Sequence, residues 1–351
     1  MKVVSVNTSS AAYEVKIGAG LLDCLGEEVR AHTKAGRAVV VSGEHVFPLY
    51  GKRAMDSLQN AGIKAEPVVF PAGEETKSLA RYGELLNALT ACQMTRSDCL
   101  IALGGGVTGD LTGFTAATYQ RGIAYLQVPT TLLAAVDSSV GGKTGVDLPA
   151  GKNLVGAFHQ PRAVFCDMDF LATLPEDWRM DGMGEVLKYA ILGDANLFAK
   201  LERQPRTPIG ECEIAECVGM KRDIVERDER EGNVRKLLNL GHTFAHAIET
   251  LSGYAVSHGR AVATGLAMAA RASVKAGALA ASEGTRIEAL VAAMGYATHV
   301  EFSTDALIEA MLSDKKVSGD AIDFVLPQTI GKCFVKRTPL AEIGKVVEDA
   351  R

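Results

Sequence analysis

No stretch of the chain approaches the ~20 consecutive apolar residues of a membrane span. Met1-Lys2 runs straight into the strand-like Val3-Val4-Ser5-Val6, without the apolar core of a signal peptide. Nothing is expected to export or anchor the protein. Cysteine is sparse: seven residues (24, 92, 99, 166, 212, 217, 333), odd in number, scattered, and without C-x-x-C spacing. A disulfide miniprotein is excluded, and a reduced, cytoplasmic protein is expected. Excess positive charge is missing as well. With 37 basic against 42 acidic side chains the formal net charge is -5, so no overall field draws the chain to nucleic acid or anionic lipid. What is present is an ordinary globular mix, 47% apolar and 23% charged over 351 residues. A chain of this length buries roughly three quarters of its unfolded surface, and a small-molecule ligand is the first expectation.

Up to about Asp169, short β-branched runs alternate with helical stretches. Arg37–Ser42, Glu66–Phe70, Cys99–Leu103, Ala124–Val128 and Ala163–Cys166 read as strands, and Ser78–Met94 and Asp110–Gln120 as helices. This alternation predicts a parallel sheet with helices on both faces. After Leu174-Pro175, helical periodicity rich in Ala, Leu and Glu runs to about Met311, broken at Pro205–Pro208 and Ser252-Gly253. Two domains are therefore expected, 1–174 α/β and 175–351 mainly helical, with strands at Asp323–Leu326 and Phe334–Arg337 and a last helix in the tail. Ligands of an open α/β sheet bind at the carboxyl ends of its strands. A second domain closing over that edge makes the interdomain cleft the expected site.

Three clusters carry chemistry. The strand at Asp98–Leu103 leads into Gly104-Gly105-Gly106-Val107-Thr108-Gly109-Asp110 and a helix. Backbone amides at such a turn can approach a pyrophosphate at the positive helix end, although a tight strand-to-helix turn needs the same glycines. No acidic residue lies between Asp110 and Asp137 to take a ribose at the usual distance, which argues against an ordinary Rossmann domain. Downstream, Asp137-Ser138-Ser139-Val140-Gly141-Gly142-Lys143-Thr144-Gly145 resembles the end of a P-loop, but Asp137 stands where the first glycine is required. Lys143, Lys152 and Asn153 on these Gly-rich segments suit an anionic substrate, or are merely solvated. The third cluster is Glu185, His242, His246 and His258. Three of the seven histidines fall within 17 positions, His242 and His246 form an i, i+4 pair, and His258 follows Ser257 at the start of the next helix. Two imidazoles and a carboxylate with an open fourth position form the ligand set of a catalytic zinc. Spacing alone nominates both members of the pair and does not choose between them.

Taken together, Gly105-Gly-Val-Thr-Gly-Asp110, Tyr119-Gln-Arg-Gly122, Val128-Pro-Thr-Thr131, Asp137-Ser-Ser-Val-Gly-Gly-Lys-Thr144, Gly151-Lys-Asn153, Glu185-Val-Leu-Lys188, Leu238-Asn-Leu-Gly-His-Thr-Phe-Ala-His246 and Asp314-Lys-Lys316 resemble the 3-dehydroquinate synthase family of sugar-phosphate cyclases, in order over nearly the whole chain. The resemblance implies a Rossmann-like NAD-binding α/β domain joined to a helical metal-binding domain, working as a homodimer. It implies a phosphate-eliminating lyase of the shikimate pathway, converting 3-deoxy-arabino-heptulosonate 7-phosphate to 3-dehydroquinate. The steps are transient NAD-dependent oxidation, phosphate elimination, re-reduction, ring opening and an intramolecular aldol closure. By matching positions, Glu185, His242 and His258 would hold zinc, or cobalt in its place, and His246 would contact substrate and assist proton transfer. Glu74, Lys77, Gly105, Gly106, Val107, Thr108, Gly109, Asp110, Thr130, Thr131, Phe170, Leu171, Ala172 and Thr173, with Lys143 and Lys152, would hold NAD. Asp137, Lys143, Lys152, Asn153, Lys188, Lys221, Arg235, Asn239 and one of Lys315 or Lys316 would surround the substrate. Arg121 would reach its phosphate across the dimer interface, and Glu231 matches an acid/base position.

Three positions depart from the family pattern: Arg260 stands where glutamate is usual, Gly184 where alanine is common, and Asp147 in place of a frequent asparagine. Arg260 puts a positive charge two residues from a proposed metal ligand and bears on fine specificity. Related alternatives are a 2-deoxy-scyllo-inosose or valiolone-type synthase and a metal-dependent polyol dehydrogenase. A catalytically dead NAD-binding sensor is the alternative from outside the enzymes.

Overall fold

The computed structural model describes residues 1–313, 317–318 and 320–351. Lys315 and Lys316, expected near the substrate, lie outside the described residues. The chain divides into two compact units, one of Met1–Arg179 with Gly210–Arg230, the other of Met180–Ile209 with Glu231–Arg351. Residues 210–230 thus group with the α/β unit, where the sequence suggests a single division at 174/175.

The first unit contains β1 (Lys2–Asn7), β2 (Ala12–Gly18), α1 (Leu25–His32), β3 (Arg37–Gly43), α2 (Phe47–Asn60), β4 (Lys64–Phe70), α3 (Leu79–Ala91), β5 (Cys99–Gly104), α4 (Gly106–Thr118), β6 (Ala124–Pro129), β7 (Lys143–Leu148), β8 (Gly151–Phe158) and β9 (Ala163–Asp167). Seven strands form one sheet in the order β1-β2-β9-β6-β5-β3-β4. β2 through β4 in that order pair in parallel, and β1 adds an antiparallel edge by hairpin with β2. The five strands read from the sequence all lie in this sheet.

Period-2 alternation decides which helices each strand meets. Ala38, Val40, Cys99, Ile101, Leu126 and Val128 face Leu25, Val29, Ala54 and Leu58 of α1 and α2. Val39, Val41, Leu100 and Tyr125 face Leu85, Leu89, Leu111 and Phe114 of α3 and α4. From β3 the chain goes outward to β4 and then returns to β5 on the other side, so strand order reverses between β3 and β5. Crevices of open α/β sheets open at the carboxyl ends at such a reversal, and the glycine turn follows β5 there. β7 and β8 form a separate antiparallel pair, so Lys143, Lys152 and Asn153, expected on Gly-rich loops, belong to a hairpin instead.

A short helix α5 (Asp169–Ala172) and α6 (Glu176–Gly193) follow, the latter passing into the second unit from Met180. α7 (Ala195–Arg203) belongs to the second unit and α8 (Glu211–Arg227) to the first. The second unit continues with α9 (His242–Leu251), α10 (His258–Lys275), α11 (Ala281–Ala293), α12 (Thr304–Leu312), a three-stranded antiparallel sheet of β10 (Val317–Ser318), β11 (Ala321–Thr329) and β12 (Lys332–Pro339), and α13 (Ile343–Ala350). α10 is buried on nearly every face by Ala261, Val262, Ala263, Leu266, Ala267, Met268 and Ala270, the pattern of a central helix. Among the described residues no helix is long and apolar enough to cross a membrane.

One buried carboxylate ties the first unit together. Glu229, 9% exposed, accepts hydrogen bonds from the Ser9 and Ser10 hydroxyls, from the Ser10 amide at 3.2 Å and from Gln160 Nε2 at 2.8 Å. Burial alone would raise its pKa, but these donors hold it down at about 2. A carboxyl depressed in the folded state stabilises above its unfolded value and loses that stabilisation as pH falls through the folded one. Unfolding free energy should therefore drop between about pH 5 and pH 2 by an amount that Glu229→Gln removes, at a cost near neutrality of about 1–3 kcal/mol. Chemical denaturation at stepped pH measures both; parallel curves for parent and variant would refute the role.

Candidate active site

In the first unit, Gly105 caps α4 and Gly106, Val107, Thr108, Gly109 and Asp110 form its first turns, so the run read as a turn is already helix. No acidic side chain opposes the positive end of this helix in its first turn. The glycines serve close packing. A Cβ at Gly109 would stand 2.6 Å from Gln127 Oε1 on β6, and one at Gly106 would stand 3.1 Å from Ser138 Oγ. Beside the turn, Thr130 is 4% exposed and its hydroxyl finds no partner, a buried polar atom of the kind a bound ligand satisfies. A half-buried glycine turn at a helix N-terminus with an orphaned hydroxyl beside it fits a dinucleotide pyrophosphate and its neighbouring hydroxyls. Thr131 Oγ1 is already engaged, accepting from the Ala134 amide at 3.2 Å.

Lys77 follows the short 3-10 turn Glu74–Thr76 and is buried, its ammonium 2.5 Å from Asp110 Oδ2 and 2.5 Å from Asn153 Oδ1. Burial opposes its charge, but Asp110, Glu74 and Asp147 outweigh burial and raise its pKa, so it stays cationic. Asp147 Oδ1 accepts from the Asn153 amide at 2.6 Å, and Asn153 takes a left-handed φ of 55° to allow this. Lys152 Nζ lies 4.0 Å from Glu74 Oε2. Asp137 sits in the single π-helical turn Ala134–Ser138 and holds Lys221 of α8, whose Nζ is 3.0 Å from Oδ2 and 2.7 Å from the Asp137 carbonyl. Lys143 opens β7 on the surface. Arg121, in the exposed turn after α4, has φ 66°. Phe170 is buried in the core against Tyr50, ring centroids 4.5 Å apart, so its side chain is committed to packing. Leu171 is half-buried and Ala172 and Thr173 are exposed, the Thr173 hydroxyl bonded to Tyr50.

In the second unit, glycine contacts bring three helices together. Gly184 of α6 faces the backbone of Gly259, and Gly265 of α10 faces that of Gly241, which caps α9 at φ 77°. No Cβ fits at either crossing, so Glu185, His242 and His258 are drawn in from three helices. Glycine at 184, the departure from alanine, is what this α6–α10 approach requires. Glu185 Oε1 lies 3.2 Å from His258 Nε2 and 3.4 Å from His242 Nε2, and one ligand atom of each residue falls within 4.8 Å of the others. A tetrahedral zinc with bonds of about 2.0–2.1 Å holds its ligand atoms roughly 3.3–3.4 Å apart, so these two separations suit one.

Lys188, one turn from Glu185, places Nζ 2.6 Å from Glu185 Oε2, both side chains 1% exposed. Burial pushes the Glu185 pKa up, but Lys188 and His242 overcome it and hold the group well below the usual range, as an ionised ligand requires. Burial lowers the pKa of His242, keeping it neutral, while Glu185 and Glu249 overcome burial at His258 and raise it. The cluster therefore invites a positive charge, which a dication supplies in place of a proton.

His246 is near but not in this group: its ring centroid is 5.9 Å from that of His242 and 6.4 Å from that of His258. The structure thereby separates the i, i+4 pair that spacing left undivided. Arg235 is buried at 1% exposure in the 3-10 segment Val234–Asn239, and Asn239 Nδ2 donates to Glu231 Oε1 at 3.0 Å. Sequence reasoning missed Gln127, whose Nε2 holds the Ser139 carbonyl at 3.2 Å beside the π turn, and Glu249. Only the latter had a signal, seven residues after His242 on one helix face.

A family model described as 3-dehydroquinate synthase N-terminal matches residues 67–180, and one described as 3-dehydroquinate synthase C-terminal matches 182–317. The 3-dehydroquinate synthase of Caulobacter vibrioides is 45% identical over 352 residues, covering 96% of this chain and 95% of that protein. Among solved structures, a 2-deoxy-scyllo-inosose synthase complexed with carbaglucose-6-phosphate, NAD+ and Co2+ superposes with a TM-score of 0.87 at 23% identity, over 99% of both chains. The 2-epi-5-epi-valiolone synthase of Streptomyces hygroscopicus, with NAD+ and Zn2+ bound, does so with a TM-score of 0.87 at 25% identity, over 100% of this chain and 99% of that one. The two halves of the family pattern, in order along the chain and on this cyclase fold, place the protein in the 3-dehydroquinate synthase family.

Proposed function

We propose that the protein is a 3-dehydroquinate synthase, eliminating phosphate from 3-deoxy-arabino-heptulosonate 7-phosphate and closing the carbocycle of 3-dehydroquinate, with no net oxidation. The carrying observation is the convergence of Glu185, His242 and His258 at zinc-ligand spacing in a chain of this family. When bound, NAD supplies reversible hydride removal and zinc, or cobalt, polarises the substrate oxygens. The chain's own residues do the rest. The glycine turn at Gly105–Asp110, with Thr130, Thr131, Glu74, Lys77 and the 170–173 backbone, holds the dinucleotide. Asp137, Lys143, Lys152, Asn153, Lys188, Lys221, Arg235 and Asn239 grip one anionic substrate throughout, so that proximity serves several steps in succession. Cationic groups held by carboxylates, as Lys221 is by Asp137 and Lys188 by Glu185, arrive at the substrate already oriented. His246, outside the ligand set, assists proton transfer at the substrate, with Glu231 as a further acid/base group. A cytoplasmic homodimer, with Arg121 reaching a phosphate in the partner's site, completes the reading.

Purified protein with NAD and zinc is expected to release phosphate from the heptulosonate phosphate without accumulating NADH. Steady NADH formation would overturn this in favour of a polyol dehydrogenase, and turnover of glucose 6-phosphate instead in favour of an inosose synthase.

A further inference from the structure

The two imidazoles of the metal cluster are held from behind in different ways. His242 Nδ1 lies 3.0 Å from the Leu240 carbonyl, a neutral acceptor. His258 Nδ1 lies 3.3 Å from Glu249 Oε2, a carboxylate that is itself 5% exposed. Glu249 stands two turns after His242 on α9, with His246 between them on the same stripe, so one helix face carries both a ligand and the group behind another ligand. The end of α9 is also fixed at this residue, because its carbonyl accepts from the Tyr254 amide at 2.8 Å and from Ser252 Oγ at 3.0 Å.

We propose that Glu249 is a positioning residue, holding the His258 ring with Nδ1–H on its carboxylate and the Nε2 lone pair turned toward the cation. This inference rests on the metal reading above. A ring N–H donated to a carboxylate fixes the tautomer, orients the ring and makes the opposite nitrogen a stronger donor. The need for it differs between the two histidines. His242 is 12% exposed and held by packing, whereas His258, the first residue of α10, is 33% exposed. With less surrounding contact, the His258 ring depends on a hydrogen bond for its direction. A purely structural role is also available to Glu249, since its charge lies near the N-terminus of α10.

Glu249→Gln separates the two roles because it keeps size and an acceptor oxygen but removes the charge. Zinc and cobalt affinities of the apoprotein are expected to fall about 10–100-fold. The visible absorption of the cobalt-loaded protein should shift, while the far-UV circular dichroism and thermal midpoint of the apoprotein stay close to the parent's. Glu249→Asp, which restores the charge on a shorter arm, should recover part of the affinity. Unchanged metal affinity and cobalt spectrum in the glutamine variant would overturn the proposal. Should that variant fail to fold, nitrogen-detected NMR of the zinc-loaded parent decides: a low-field, slowly exchanging proton on His258 Nδ1 supports it, and zinc on Nδ1 or a freely exchanging proton there overturns it. A parent that takes up neither metal would instead defeat the metal reading itself, a separate failure.

Discussion

His242→Ala is expected to leave a protein that retains little zinc and turns over the heptulosonate phosphate at less than about a thousandth of the parent rate. Lewis-acid stabilisation contributes several kcal/mol to a transition state, and each 1.36 kcal/mol is tenfold in rate. His242 supplies one of three donors. Its loss leaves Glu185 paired with Lys188 at 2.6 Å, an ion pair that competes with a weakened metal for the same carboxylate. His246→Ala makes the informative comparison, because its ring lies outside the group of mutually close donors. That variant should keep its metal while losing activity. Metal content by mass spectrometry with a phosphate-release assay reads both. An active, metal-free His242→Ala, or a His246→Ala that alone loses zinc, would overturn the ligand set.

Gly259→Ala should lower stability by about 2–4 kcal/mol, a fall of about 5–10 °C in thermal midpoint for a unit of this size. Helix propensity argues the other way, since alanine in a helix is worth up to about 1 kcal/mol over glycine. The contact decides the sign. An alanine Cβ would stand 2.6 Å from the carbonyl carbon of Asp181 and 3.0 Å from its Cα, closer than carbon atoms pack, and the obstacle is backbone that no rotamer change can move. The Gly259 amide also donates to Asp181 Oδ1 at 2.6 Å, so α6 and α10 would have to separate against a buried hydrogen bond. Because His258 is the adjoining residue and Glu185 lies one turn beyond Asp181, zinc affinity should fall with stability. A variant more stable than the parent would show that the crossing tolerates a methyl group.

Much of this molecule is legible in its residues. The β-branched runs and their spacing specify the parallel strands, because a strand buried on both faces needs continuous apolar character. The glycines before Asp110 mark the strand-to-helix turn, because no other residue permits that approach. The clustering of histidines in the helical half points to a metal, because imidazoles with a carboxylate rarely gather otherwise. Local pattern ends where partners come from distant segments. Spacing alone does not divide His242 from His246, and the family resemblance divides them only by matching positions; the physical reason is tertiary, since it depends on where α10 begins in space and on Glu185, 57 residues earlier in the chain. The tertiary structure alone places Glu249 behind His258 and Glu229 among the serines of the first hairpin turn, because a carboxylate's role is set by the donors that burial brings to it.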